Sequence, residues 1–200
     1  MGRELEYKLS VADPQILEAI LEDEEIAAFA DVWSQTKMKT TYFDTPDRLL
    51  ASHHITLRQR FEGEKSIVCV KIPMKEKHLR GEWQVEAESI DEAVISELIT
   101  LGAPKELIFF YACREIVPVC GAEFLRRHVM LTFPDGSRAE LAGDHGYLHG
   151  KMQKLTFTEL ELELYEGDQM HMCALVQRLC QKYGLHEETK SKHARARLLD

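Results

Sequence analysis

The run Glu4-Leu5-Glu6-Tyr7-Lys8-Leu9 carries charge at every second position. Side chains of a strand alternate between its two faces, so an extended run sets Glu4, Glu6 and Lys8 on one face and Leu5, Tyr7 and Leu9 on the other. Same-face neighbours lie roughly 7 Å apart, and two carboxylates at that spacing repel by roughly 2 kcal/mol at an effective dielectric near 20. A cation between the acids removes that cost, and a divalent metal is the obvious one. The pattern recurs. Glu159-Leu160-Glu161-Leu162-Glu163-Leu164 repeats the acidic form, Leu57-Arg58-Gln59-Arg60 is a basic form, and Arg80-Gly81-Glu82-Trp83-Gln84-Val85-Glu86 is mixed. In each, the opposite face is apolar and must be covered. The sequence therefore predicts an α+β fold built on a barrel turned inside out, with charge lining the lumen and apolar side chains facing outward under a layer of helices.

Two hundred residues with 44% apolar content suit a single domain over residues 1–200. A formal net charge of −9 argues against a nucleic-acid partner or an anionic membrane surface. Five cysteines, odd in number and without a C-x-x-C pair, indicate neither a disulfide framework nor a zinc site, and reduced thiols fit a cytoplasmic protein. The first residues are too charged for a signal peptide, and no apolar run approaches the roughly 18 residues of a membrane span. The chain reads as soluble and unanchored.

Asp13-Pro14 predicts the start of a helix with Ile16, Leu17, Ile20 and Leu21 on one face, and a second short helical stretch is expected near Glu25 to Trp33. Strands are expected at 38–44, 55–62, 65–73 and 80–89, the middle pair joined by Glu62-Gly63-Glu64. Asp91 caps a helix ending at Gly102. Residues 104–120 are hard to read, and Phe109-Phe110-Tyr111 is expected in a core. A hairpin of 124–133 and 137–147, an eighth strand at 155–166, a helix over 169–183 and a last one begun by Ser191 complete the chain.

Glu4, Glu6, Glu159 and Glu161 in one lumen would supply the oxygen ligands that Mg²⁺ or Mn²⁺ prefers. A histidine metal site is not expected: His53-His54 reads as two neighbours pointing opposite ways in a strand, and His145 and His149 read as loop residues. Opposite the acids, Lys8, Arg58, Arg60, Lys71, Arg80 and Arg126 would neutralise a polyanion. Structural salt bridges across the barrel are the competing reading, but so many buried ions would cost more in desolvation than pairing returns. The chain has no G-x-x-x-x-G-K-[ST], no G-x-G-x-x-G and no G-x-S-x-G. Nucleophilic catalysis is thus unsupported, and in-line attack by water on a terminal phosphoryl group is the simpler chemistry.

These residues resemble those of the CYTH family, also called triphosphate tunnel metalloenzymes, whose E-x-E-x-K opening strand is matched by Glu4, Glu6 and Lys8. Tyr42-Phe43-Asp44-Thr45-Pro46, Leu57-Arg58-Gln59-Arg60, Lys71, Arg80-x-Glu82, Arg126, Arg138-x-Glu140, Asp144, Glu159-x-Glu161-x-Glu163 and Ser191-Lys192 are similar to family positions in the same order. The resemblance covers nearly the whole chain and implies an eight-stranded antiparallel tunnel that binds a triphosphate with Mg²⁺ or Mn²⁺. It implies Glu4, Glu6, Glu159 and Glu161 as metal ligands and Lys8, Arg58, Arg60, Lys71, Arg126 and Lys192 as the phosphate grip, with Arg80 in the same wall. Glu82 and Glu140 would be supporting acids, and Glu4, Glu6, Lys8 and Lys71 the catalytic set. Two positions depart from the family: Gln84 replaces an acid, and Phe124 a basic residue. Within the family the chain looks most like the bacterial inorganic triphosphatases, which implies a monomer or homodimer that hydrolyses tripolyphosphate to diphosphate and phosphate. A class IV adenylate cyclase, a thiamine or nucleoside triphosphatase, and a polyphosphate-binding module are the alternatives.

Overall fold

The computed structural model describes residues 2–74 and 79–199; the side chains of residues 2–4, 79, 80 and 113 lie outside the description. The alternating run becomes β1 (Gly2–Ser10). The Asp13 carboxylate then accepts the amides of Gln15 and Ile16, starting α1 (Pro14–Leu21), which buries Leu17, Ile20 and Leu21. The next helix, α2 (Glu24–Ala27), is one turn long and stops well short of Trp33, because only Ile26 in it finds apolar cover. β2 (Ser34–Asp44), α3 (Leu49–Ser52), β3 (Thr56–Glu62) and β4 (Lys65–Pro73) follow. Gly63, at φ 62°, supplies the left-handed residue that the β3–β4 turn needs.

Then come β5 (Leu79–Glu86), α4 (Glu92–Thr100) capped by Asp91, and α5 (Leu107–Cys113). The second half holds β6 (Val117–Thr132), β7 (Arg138–His149), β8 (Lys154–Glu166), α6 (Met170–Tyr183), β9 (His186–Glu187) and α7 (Lys192–Ala196), which runs into a 3-10 turn over Arg197–Leu199. Gly184, left-handed at φ 64°, stops α6.

The strands form one antiparallel sheet in the order β5-β4-β3-β2-β6-β7-β8-β1-β9, and β5 also pairs with β1. That extra ladder, from Gly2↔Glu82 to Leu5↔Leu79, is four pairs long. The edge of β1 away from β8 is thus shared, by β5 at its start and by β9 at Leu9 and Ser10. Among the described residues the sheet has nine strands where eight were expected, and it curves around a lumen without closing fully, since the β1–β5 seam is laddered over only four pairs.

Outward-facing Leu9, Val129, Leu131, Leu141, Leu160 and Leu162 pack under α1 and α6. Leu57, Val68, Val70, Trp83 and Val85 pack under α4 and α5. The helical layer is incomplete: Lys37, Lys39, Glu123, Leu125 and Tyr147 stand exposed on the outside of β2, β6 and β7. Three expectations need correction. His53 and His54 lie at the end of α3 and in the following turn, not in a strand, and His145 and His149 lie within β7, not in a loop. Phe109 is 69% exposed, because α5 turns it away from α4, while Phe110 and Tyr111 do pack on the second core. Among the described residues, no helix is long and apolar enough to cross a membrane.

Candidate active site

Inward-facing residues of the ring enclose a cavity of about 370 Å³. Its acidic and basic strand residues include Glu6 and Lys8 of β1, Arg58, Arg60 and Glu62 of β3, Lys71 of β4, Glu82 of β5, Arg126 of β6, Glu140 of β7, and Glu161 and Glu163 of β8. The two-residue period predicted from sequence is what aims them all at one space.

The walls differ in sign. On the basic side, Arg58 meets Glu82 at 3.2 Å and Lys71 meets the other oxygen of Glu82 at 2.7 Å. Arg60 pairs with Glu62 at 2.5 Å, and its Nε is buried with no partner among the described residues. Burial, and then the like charges of Arg58 and Arg126, push the Arg60 guanidinium below its ordinary pKa. An anion in the lumen would relieve that repulsion. The Cys69 thiol donates to Glu82 at 2.9 Å, and burial pushes its pKa up to about 11, so it is no nucleophile.

The acidic side is built by β1, β8 and β7. Register sets Glu6 opposite Glu163, and Glu163 opposite Glu140, so three carboxylates stand on adjacent strands. Lys8 lies 3.2 Å from Glu6 and 3.7 Å from Glu161. Deeper in, Asp144, Glu159 and Glu161 hold ligand oxygens within 4.8 Å of one another, a grouping that could take a metal ion. All three carboxylates also contact the Lys192 ammonium, with Asp144 and Glu161 each at 2.8 Å. Arg126 makes two 2.8 Å bonds to Asp144 and one of 2.5 Å to Glu161, and Arg195 binds the far oxygen of Glu159. Three acids thus face Lys192, Arg126 and Arg195, with Lys8 a fourth cation at 3.7 Å from Glu161.

Burial works against each of these charges. Lys192 and Arg126 nonetheless hold Glu161 well below the usual carboxylate range, and Asp144 and Glu161 hold Arg126 well above its ordinary value. At Glu159 burial wins and its pKa rises. The donor set is all oxygen, the chemistry a hard divalent ion takes. Within the triad, however, the place of a cation is held by Lys192.

One end of the lumen is packed with apolar side chains. Inward-facing Tyr42, Cys120, Ala122, Phe124, Leu148 and Phe157 form an apolar core with Ala196 of α7. Ser191 starts α7 by accepting the Ala194 amide, and Ser191, Lys192 and His193 line the cavity floor. Side-chain exposure grows away from that floor, from 0% for Asp144 and Glu159 to 28% for Glu62, 29% for His128 and 32% for Glu140. Phe124 and Phe157 lie 5.0 and 5.3 Å from the Lys192 ammonium.

Of the residues picked from sequence, Glu6, Lys8, Arg58, Arg60, Lys71, Glu82, Arg126, Glu140, Glu161 and Lys192 come together in this cavity. Glu159 sits beneath it, bound to Lys192 and Arg195. The side chains of Glu4 and Arg80 lie outside the described residues, though register pairs their backbones. Sequence reasoning named Asp144 among the family-like positions without giving it a role, and did not single out Arg195 or His193. Asp144 follows Glu140 at strand period, and Arg195 was findable because it follows Lys192 at i+3 on a helix. His193 stacks on Tyr42 with ring centres 4.8 Å apart, a tertiary contact without sequence signal.

Known proteins match this architecture along its length. HpAC1 from Hippeastrum, a candidate adenylyl cyclase with a dominant triphosphatase activity, is 19% identical with a TM-score of 0.65, covering 98% of this chain and 96% of its own. A candidate adenylate cyclase from Bacillus halodurans is 15% identical at TM-score 0.60, covering 98% of each chain. The PH1819 protein of Pyrococcus horikoshii is 14% identical at 0.56, covering 96% of this chain and 97% of its own. These likenesses speak to the fold. The profile of the CYTH domain matches residues 2–196, almost the entire sequence, and the chain belongs to the CYTH domain family.

Proposed function

We propose that this protein is a metal-dependent triphosphatase that hydrolyses the terminal phosphoryl group of a triphosphate, with inorganic tripolyphosphate as its substrate. The observation that carries this reading is the opposition of a basic wall and an acidic wall across one enclosed cavity of about 370 Å³. A phosphate chain lies against Arg58, Arg60, Lys71 and Lys8, whose forks and point charges suit its oxygens. Mg²⁺ or Mn²⁺ would be held by Glu6 and Glu161, which already share the Lys8 ammonium, together with Glu4. When bound, such an ion supplies Lewis-acid stabilisation of charge on the phosphoryl oxygens.

Asp144 and Glu159, saturated by Lys192, Arg126 and Arg195, act in this scheme as holders of cations. The basic wall fixes the chain so that water attacks in line with the leaving diphosphate, and the guanidinium groups stabilise charge as that bond breaks. Wild-type protein and Glu6→Gln, assayed for phosphate release from tripolyphosphate with Mg²⁺ or Mn²⁺, test the reading. Metal-dependent release by the wild type, lost in the variant by roughly 100-fold or more, is the expected result. Cyclic AMP formed from ATP with no release from tripolyphosphate would overturn it.

A further inference from the structure

Helices cover the outer side of the sheet in two sectors, one under α1 and α6 and the other under α4 and α5. The first sector reaches Gly143, where an added Cβ would lie 3.0 Å from both Leu17 and Leu21 of α1. Beyond it, register sets Lys37 beside Leu125 in one outward row, and Phe61, Lys39, Glu123 and Tyr147 side by side in the next, across β3, β2, β6 and β7. Phe61, Leu125 and Tyr147 are exposed on this wall, Tyr147 to 51%. Lys154 of β8 stands over the Tyr147 ring at 5.8 Å. Lys37 and Lys39 are exposed and, among the described residues, take part in no ion pair. The wall is therefore apolar along its middle and basic at its rim, on a chain whose net charge is −9.

We propose that this wall docks an acidic amphipathic helix of a partner protein. In the two covered sectors the outward apolar side chains lie under the apolar stripes of helices, and the open wall offers the same kind of footing in Phe61, Leu125 and Tyr147. Four strands span roughly 14 Å and a helix is about 10 Å across, so one helix fills the space. Its apolar stripe, at i, i+3, i+4 and i+7, rests on Phe61, Leu125 and Tyr147, and carboxylates on its flanks meet Lys37, Lys39 and Lys154. Charge selects this occupant over others. A second copy packed through the same face would set lysines against lysines, and like charges across an interface are costly. A nucleic acid or an anionic bilayer extends past the wall onto the acidic remainder of the molecule, which repels it. A single acidic helix meets the basic wall alone.

The test uses the full chain and a fluorescent, stapled helical peptide of about 18 residues, with Leu at that spacing and Glu on both flanks, read by anisotropy. A matched peptide with Lys in place of Glu, vesicles of anionic phospholipid and a single-stranded RNA are the comparison probes. The Glu peptide is expected to bind saturably, more weakly as salt rises, and the other three not to bind. Lys37→Glu combined with Lys39→Glu is expected to weaken the Glu peptide roughly tenfold, and Tyr147→Ser by a similar factor, with Tm unchanged in both variants. No saturable binding of the Glu peptide, equal binding of the Lys peptide, or affinity untouched by these substitutions would overturn the proposal. Binding of the vesicles or the RNA at the same residues would overturn it too, by naming a different occupant.

Discussion

Lys192, on the last helix, reaches the buried carboxylate of Asp144 at 2.8 Å, and among the described residues their other counter-charges are Glu159 and Glu161 for Lys192 and Arg126 for Asp144. Removing one member of such a group leaves an uncompensated charge in a dry interior, which costs about 3–5 kcal/mol. Asp144→Asn is therefore expected to lower the free energy of unfolding by that amount. Urea titration checks it, and a change below about 1 kcal/mol would mean that the network is wetter than its burial indicates.

Phe124 occupies a position where the family resemblance implies a basic residue, and here it lies 5.0 Å from the Lys192 ammonium. The ring face attracts the cation with about 0.5–2 kcal/mol. Phe124→Leu keeps the apolar contact and loses that attraction. Its expected effect is a destabilisation within that range, with a smaller effect once Lys192→Met is already present, as measured by a double-mutant cycle; an equal effect in both backgrounds would contradict the attraction.

His193 gives the fold a pH dependence of known sign. Burial, and then the nearby Arg197, push its pKa down to about 4, so the folded protein keeps the ring neutral where the unfolded chain, at about 6.5, has it protonated. Between those values the unfolded state binds more protons. Stability from this group is therefore complete above about pH 6.5 and is lost as pH falls toward 4, by on the order of 3 kcal/mol at most. His193→Gln is expected to flatten this part of the stability–pH curve, and an unchanged slope would assign it to other groups.

Cys69 lies in the lumen, is 1% exposed, and has a pKa near 11, since burial outweighs the help of Arg58. At pH 8 it is expected to resist a thiol reagent in native protein and to react only on unfolding. Labelling followed by mass spectrometry distinguishes it from the less buried Cys173 and Cys180.

Much of this was legible because a strand's period is two, and a charged position every second residue has few explanations. Glu6, Lys8, Arg58, Arg60 and Glu161 were placed in one lumen by that rule alone, and the structure assembles them there. The helices over Pro14–Leu21 and Glu92–Thr100 were readable from their aspartate caps and apolar stripes. The floor was not. Ala196, Phe124 and Phe157 meet through contacts far apart in sequence, and no local pattern marks a lumen that is polar in its middle and apolar at one end. Phe109 misled because α5 is apolar on every side, so its sequence does not say which face turns outward. Glu159 shares its periodicity with Glu161, yet burial at 0% and a tie to Arg195 set it apart, and burial at that level is a tertiary property.

In the proposed reaction, opposed charged walls and a bound divalent ion would split a linear triphosphate at its end. Phosphorus NMR of tripolyphosphate incubated with the protein and Mg²⁺ tests it most directly. Orthophosphate and diphosphate appearing in equal amounts, and not without the metal, is the predicted result. An unchanged tripolyphosphate spectrum under conditions in which the protein turns ATP into cyclic AMP would contradict it.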